Sequence, residues 1–153
     1  MEVIRTAGTW TDSAAGGVVK ADRAAGTGAF SLVAALSIIA NWNAYRGTKV
    51  KSFDVFYKVS TAALTGFATV EVGKMALPAS GVVSGALVGV TLDSGHDTSA
   101  KRAAVGDHVM TVTINAPEWT HEVDGLYLSL GMDPAATSVV TLFGVRVNYD
   151  LRL

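Results

Sequence analysis

The sequence predicts an all-β domain, an antiparallel sandwich or barrel preceded by an extended N-terminal arm. Three observations lead there. After residue 28, large apolar side chains recur at every second position. Turn residues separate these runs, and the first 28 residues hold few side chains able to build a core. A period of two places alternate side chains on opposite faces of a strand, whereas a surface helix repeats near 3.6.

The arm comes first. Thr6 to Gly28 is Ala, Gly, Thr and Ser with scattered charge, and its large apolar side chains are Trp10, Val18 and Val19. Such a stretch has little to bury, and its glycines favour irregular backbone. Residues 1–28 are therefore expected to form an arm with one short strand near Val3, and residues 29–153 a β-sandwich domain. Trp10 is the expected anchor of that arm on a neighbouring subunit, because an indole left exposed gains nothing.

The strands follow. Phe30 to Ala40 fits a buried strand, or a helix face through Leu32, Leu36 and Ile39; the strand is preferred. In Lys51–Val59, Phe53, Val55, Tyr57 and Val59 share a face opposite Ser52, Asp54, Phe56 and Lys58. Ala68, Val70 and Val72 form a shorter row. Met110, Val112 and Ile114 form another, as do Leu126, Leu128, Leu130 and Met132. The last segment sets Phe143, Val145, Val147, Tyr149 and Leu151 against Gly144, Arg146, Asn148 and Asp150. β-Branched residues fill these runs, as strands prefer. Asp93-Ser94-Gly95, Val105-Gly106-Asp107, Asp124-Gly125 and Asp133-Pro134 are the expected turns between them.

Composition bounds the function. The chain has 153 residues, a formal charge of −1 and 16% charged residues. A typical domain carries about 25%. So weak a charge excludes the electrostatic footprint of a non-specific nucleic-acid binder. Half of the residues are hydrophobic, as suits a protein that buries surface against copies of itself or a partner. There is no cysteine, hence no disulfide, thiol nucleophile or cysteine-type zinc site. Phe30–Ala40 and Val82–Leu92 are apolar but far short of the roughly 20 residues of a spanning helix. Met1 to Thr6 has no basic segment leading into an apolar one, so no secretory leader is expected.

No motif carries a reaction. Asp93, Ser94, His96 and Asp97 have the composition of a catalytic triad, but turn neighbours diverge and no nucleophile elbow is present. A polar hairpin loop is the preferred reading. His96, His108 and His121 lie in three segments without zinc spacing, so no metal and no cofactor are expected. Glu118, Trp119, His121, Glu122 and Asp124 form the densest titratable group. A carboxylate pair beside an aromatic suits a glycosidase or a sugar-binding subsite, and an ordinary solvated loop is the preferred reading. If the protein binds a small ligand, Glu118, Trp119, His121 and Glu122 are where it is expected. Trp42, Tyr45 and Arg46, with Lys49 and Lys51, place cations among aromatics. Three cations are too few for a strong nucleic-acid site; lysines that blunt aggregation at an exposed or edge strand, or a contact to an acidic protein partner, are preferred.

Three segments are similar to a known group: KVKSFDVFYKVSTAAL (Lys49–Leu64), KRAAVGDHVMTVTI (Lys101–Ile114) and LYLSLGMDPAATSVVTLFGVRVNYD (Leu126–Asp150). In order they read as an aromatic strand, an Arg-x-x-Val-Gly-Asp-His turn into a Thr-rich strand, a Tyr-Leu-x-Leu strand and a strand ending in Asn-Tyr. The pattern resembles the small, jelly-roll-like β-sandwich virion proteins of tailed phages, head decoration or cement proteins among them. The resemblance implies a non-enzymatic capsid component, made in the host cytoplasm and carried on the virion. It implies a homotrimer bound to the major capsid protein or another virion protein, with no nucleic acid, membrane or cofactor. Trp10, Trp42, Tyr45 and Arg46 would make the contact. The alternative is a carbohydrate- or receptor-binding module of the kind found in tail fibres.

Overall fold

A computed structural model describes residues 2–15, 17–36, 47–76, 78–120 and 124–151. Among them the chain forms β1 (Glu2–Arg5), β2 (Trp10–Ala15), β3 (Val18–Arg23), β4 (Phe30–Leu36), β5 (Thr48–Ser60), β6 (Gly66–Ala76), β7 (Ser84–Val88) and β8 (Val90–Leu92). A five-residue helix α1 (Ser99–Ala103) follows, then β9 (Gly106–Ile114), β10 (Trp119–Thr120), β11 (Asp124–Asp133) and β12 (Val139–Leu151). The strands form two antiparallel sheets. The first runs β1-β4-β11-β6-β7 and the second β2-β3-β12-β5-β9-β8, with β10 extending the line of β9 along β5. The fold is therefore a β-sandwich, and Phe30–Leu36 is a strand rather than a helix. No helix among the described residues is long and apolar enough to cross a membrane.

The alternating rows build the core between the sheets. Phe53, Val55, Tyr57 and Val59 of β5 are fully buried, as are Met110 and Val112 of β9 and Leu128 of β11. Side chains from two facing sheets interdigitate in this way in sandwiches generally.

Four sequence expectations need correction. Of the expected arm, Glu2–Arg5 is the short strand foreseen near Val3, but Trp10–Ala15 and Val18–Arg23 are strands as well, and the segment contributes to both sheets. β1 pairs with β4, and the β2–β3 hairpin pairs through β3 with β12. Backbone pairing holds this segment, and it needs few large side chains for that. The last strand does not keep one apolar face. The pairing with β5 shifts between Leu142 and Gly144, so Phe143 is an extra residue in the strand. Leu142 faces the core before this bulge, Val145 and Val147 pack against the core after it, and Phe143 is turned outward. Bulges re-aim side chains in this manner. In β6, the pairing with β11 is irregular between Thr69 and Gly66, which buries Phe67 and leaves Ala68 exposed. Asp124-Gly125, expected as a turn, begins β11.

Candidate functional site

The outer face of the second sheet carries the densest organised chemistry among the described residues. Three cross-strand rows run over β12, β5 and β9. They are Arg146–Asp54–Thr111, Asn148–Ser52–Thr113 and Gly144–Phe56–Val109. The first two rows are polar and interlocked. Arg146 donates from Nε and Nη2 to one Asp54 oxygen at 2.9 and 2.8 Å, and Thr111 donates to the other at 2.8 Å. Asn148 donates to both Asp54 and Ser52 at 3.0 Å. Asp54 is only 5% exposed although it lies on the solvent side of the sheet, because these partners cover it. Burial pushes its carboxyl up, but the bonds from Asn148, Thr111 and Arg146 and the Arg146 charge outweigh that and hold it below the ordinary range.

Beside this polar group lies an aromatic one. The Arg146 guanidinium sits 5.5 Å over the Phe56 ring. Gly144, opposite Phe56, has no side chain to cover it, and its φ of +155° suits the bulge. Phe143, pushed out by that bulge, is 38% exposed. Phe56, Phe143, Gly144, Val145 and Arg146 line an open depression of about 320 Å³. Further along β5, Trp119 pairs with Lys49, whose ammonium lies 5.9 Å over the indole. From Phe56 to Lys49 is seven residues of strand, roughly 20 Å. The face thus offers ring surfaces at two ends and fixed donors and acceptors between them.

The residues expected from the sequence fall elsewhere or apart. Trp119 lies on this outer face, but its neighbour Glu118 points to the other side and pairs with Lys74 at 3.3 Å. Glu118 lines a cleft of about 280 Å³ at one end of the sandwich, walled mainly by Val50, Leu87, Val88, Ile114 and Leu126. Strand alternation separates the two residues that adjacency suggested were partners. His121 and Glu122 lie outside the described residues, as do Trp42, Tyr45 and Arg46. Trp10 is half-buried in its own domain. Its ring meets Phe30 edge-on at 5.5 Å, Arg5 lies 5.3 Å over it, and its indole N–H donates to the Ala7 carbonyl at 3.0 Å.

The sequence reading missed Asp54, Phe56, Arg146 and Asn148 as a site. A signal was present: Phe56 is an aromatic on the otherwise polar face of its strand. A large apolar ring at a solvent-side position among polar neighbours is the informative kind of exception.

The Asp93–His96 pair is real, but no triad forms with Ser94. His96 Nδ1 meets the Asp93 carboxylate at 2.8 Å, while its Nε2 faces His108 Nδ1 at 3.2 Å. Burial pushes the Asp93 carboxyl up, and bonds from the Thr111 and Gly95 amides and from His96 bring it below its ordinary range.

No family model matches the chain, and no curated protein does. Two solved structures are similar in shape. One is TmCBM61 in complex with β-1,4-galactotriose, at 8% identity and TM-score 0.42, covering 86% of this chain and 71% of that one. The other is a CBM4 structure, at 12% identity and TM-score 0.39, covering 98% and 94%. Both overlaps are too loose to carry an argument.

Proposed function

We propose that the protein is a non-catalytic carbohydrate-binding β-sandwich module that holds an oligosaccharide against the outer face of its second sheet. One observation carries this reading: the half-buried Phe56 ring on the solvent side of the sheet, opposite Gly144 and beside the locked Arg146–Asp54–Asn148 group. A pyranose presents an apolar face of C–H bonds and a rim of hydroxyls. Phe56 and Phe143 offer ring surface for the first, and Arg146, Asn148 and Ser52 offer hydrogen bonds for the second. The polar partners hold one another in place before any ligand arrives, which lowers the entropic cost of binding. The roughly 20 Å between Phe56 and Trp119 favours a chain of sugars over a monosaccharide.

Binding to a panel of soluble oligosaccharides, followed by calorimetry and tryptophan fluorescence, tests the reading. Phe56→Ala and Arg146→Ala should each weaken the best ligand at least tenfold while the fold is kept. Binding to no glycan, or binding indifferent to both substitutions, would count against the site.

A second reading, a capsid decoration protein assembling as a homotrimer on a virion shell, is favoured by a different observation. Val82, Val83 and Leu87 are 72%, 58% and 63% exposed, beside and on β7, which ends the first sheet. Exposed aliphatic side chains at a sheet edge suit contact with another chain. Light scattering after size exclusion separates the readings. A trimer that loses its mass on Leu87→Lys would favour assembly, whereas a monomer that binds glycan would favour the module.

A further inference from the structure

We infer that His96 and His108 form a binding site for one divalent transition-metal ion, such as Zn²⁺ or Co²⁺, held between His96 Nε2 and His108 Nδ1. Each ring has one nitrogen committed elsewhere. His96 Nδ1 lies 2.8 and 3.0 Å from the two Asp93 oxygens. His108 Nε2 lies 2.9 Å from the Ala104 carbonyl. Both partners are acceptors, so both of these nitrogens carry the proton. A neutral imidazole has one N–H, and its other nitrogen is then a bare lone pair. The two lone pairs are turned toward each other across 3.2 Å. Only a cation between them relieves that opposition, either one extra proton or a metal ion.

The distance admits the metal, and the outer partners of the two rings favour it. A separation of 3.2 Å is hydrogen-bond distance for a shared proton, and it also fits a bridging ion. Two Zn–N bonds of about 2.0–2.1 Å spanning that separation meet at about 100°, close to the tetrahedral angle. The surroundings match as well. Metal-bound histidines donate their second N–H to a carboxylate or a backbone carbonyl, which orients the ring and raises its basicity. Here His96 has the carboxylate and His108 the carbonyl. Both rings are also fixed before any ion arrives. Asp93 is pinned by the Thr111 amide at 2.8 Å and the Gly95 amide at 2.9 Å. The His108 ring stacks on the buried Tyr57 ring at 4.6 Å and 8°. His108 is only half-buried, which leaves a side for solvent to complete the coordination. Among the described residues no group of three His, Asp or Glu could hold a metal, so the site has two protein ligands and water in its other positions. Its affinity is therefore expected in the micromolar range, below that of a closed structural site.

Co²⁺ titration of the full chain, read by visible absorption, and Zn²⁺ competition test the site. One equivalent should bind, with a visible band that Zn²⁺ abolishes. His108→Phe keeps a ring against Tyr57 and should lose the band, whereas His121→Gln should keep it. Asp93→Asn retains both ligands and should weaken binding about 10–100-fold. Absence of binding at millimolar metal would overturn the inference. So would binding that survives His108→Phe, or ring ¹⁵N signals of His96 and His108 that Zn²⁺ leaves unmoved, since these would leave only a shared proton between the rings.

Discussion

The Arg146 guanidinium grips Asp54 at 2.8 Å from a position 65% exposed to solvent, whereas the Asp54 side chain is only 7% exposed. The two ends of this ion pair therefore differ in what they do. Asp54 is the shared acceptor of a buried hydrogen-bond group. Arg146 is its lid, free on its outer side and laid over Phe56.

That asymmetry predicts unequal costs of truncation. Arg146→Ala removes a largely exposed partner and should lower stability by less than about 1 kcal/mol. Asp54→Ala strands the donors of Thr111 and Asn148 and should cost about 1–3 kcal/mol. Urea denaturation of the two variants checks the order. Equal losses would mean that Asp54 is not the centre of the group.

Acid should weaken the fold through three carboxylates. Asp54, Asp93 and Asp22 all lie below the ordinary value of 3.8 in the folded chain. For Asp22 the chief cause is the hydrogen bond from Lys20, followed by that from Thr141. A group depressed on folding stabilises the native state above its unfolded value, and that contribution is lost as pH falls through its folded value. Stability should accordingly be flat at neutral pH and decline below about pH 4. Melting temperature against pH reads the effect, and Asp54→Asn should make the acid limb shallower.

Trp10 should matter to the fold of its own chain. Its ring packs on Phe30 and is covered by Arg5. Trp10→Ala should therefore cost about 2–3 kcal/mol, toward the low end for losing an aromatic because the site is half-buried. An anchor free for a neighbouring subunit would instead give a variant with wild-type stability and altered mass.

Arg102 replaces an absent backbone ladder at the end of the sandwich. It is 6% exposed and donates to the Phe67 carbonyl at 3.0 and 2.8 Å and to the His96 carbonyl at 2.8 Å. Its own carbonyl accepts from the Tyr57 hydroxyl at 2.9 Å. Arg102→Met should cost about 3 kcal/mol and Tyr57→Phe about 1 kcal/mol, since the first leaves two buried acceptors unpaired and the second one. Hydrogen exchange of the 93–108 segment should rise in both.

Gly144 is held at φ +155°, a conformation that costs any other residue strain. Gly144→Ala should therefore destabilise by about 1 kcal/mol or more. If the bulge is relieved instead, Phe143 turns from the outer face, and the variant would also lose any binding at the proposed sugar site.

The sequence by itself determined the class of fold and most of the core. Period-two rows such as Phe53–Val59 and Leu126–Met132 are local facts, because alternation along a strand follows from backbone geometry alone. It also held a clue to the site in Phe56, an aromatic among polar neighbours. Tertiary structure decided the rest. Asp54, Arg146, Asn148 and Thr111 come from three strands, and only their register sets them side by side. A single extra residue at Phe143 reverses the faces of everything beyond it; Gly144 permits that bulge, but only the pairing with β5 shows that it forms. β1 and the β2–β3 pair joined the two sheets by pairing their backbones with β4 and β12, which leaves no signature in side-chain hydrophobicity. The same holds for His96 and His108, twelve residues apart, which meet because Asp93 orients the first ring and Tyr57 the second.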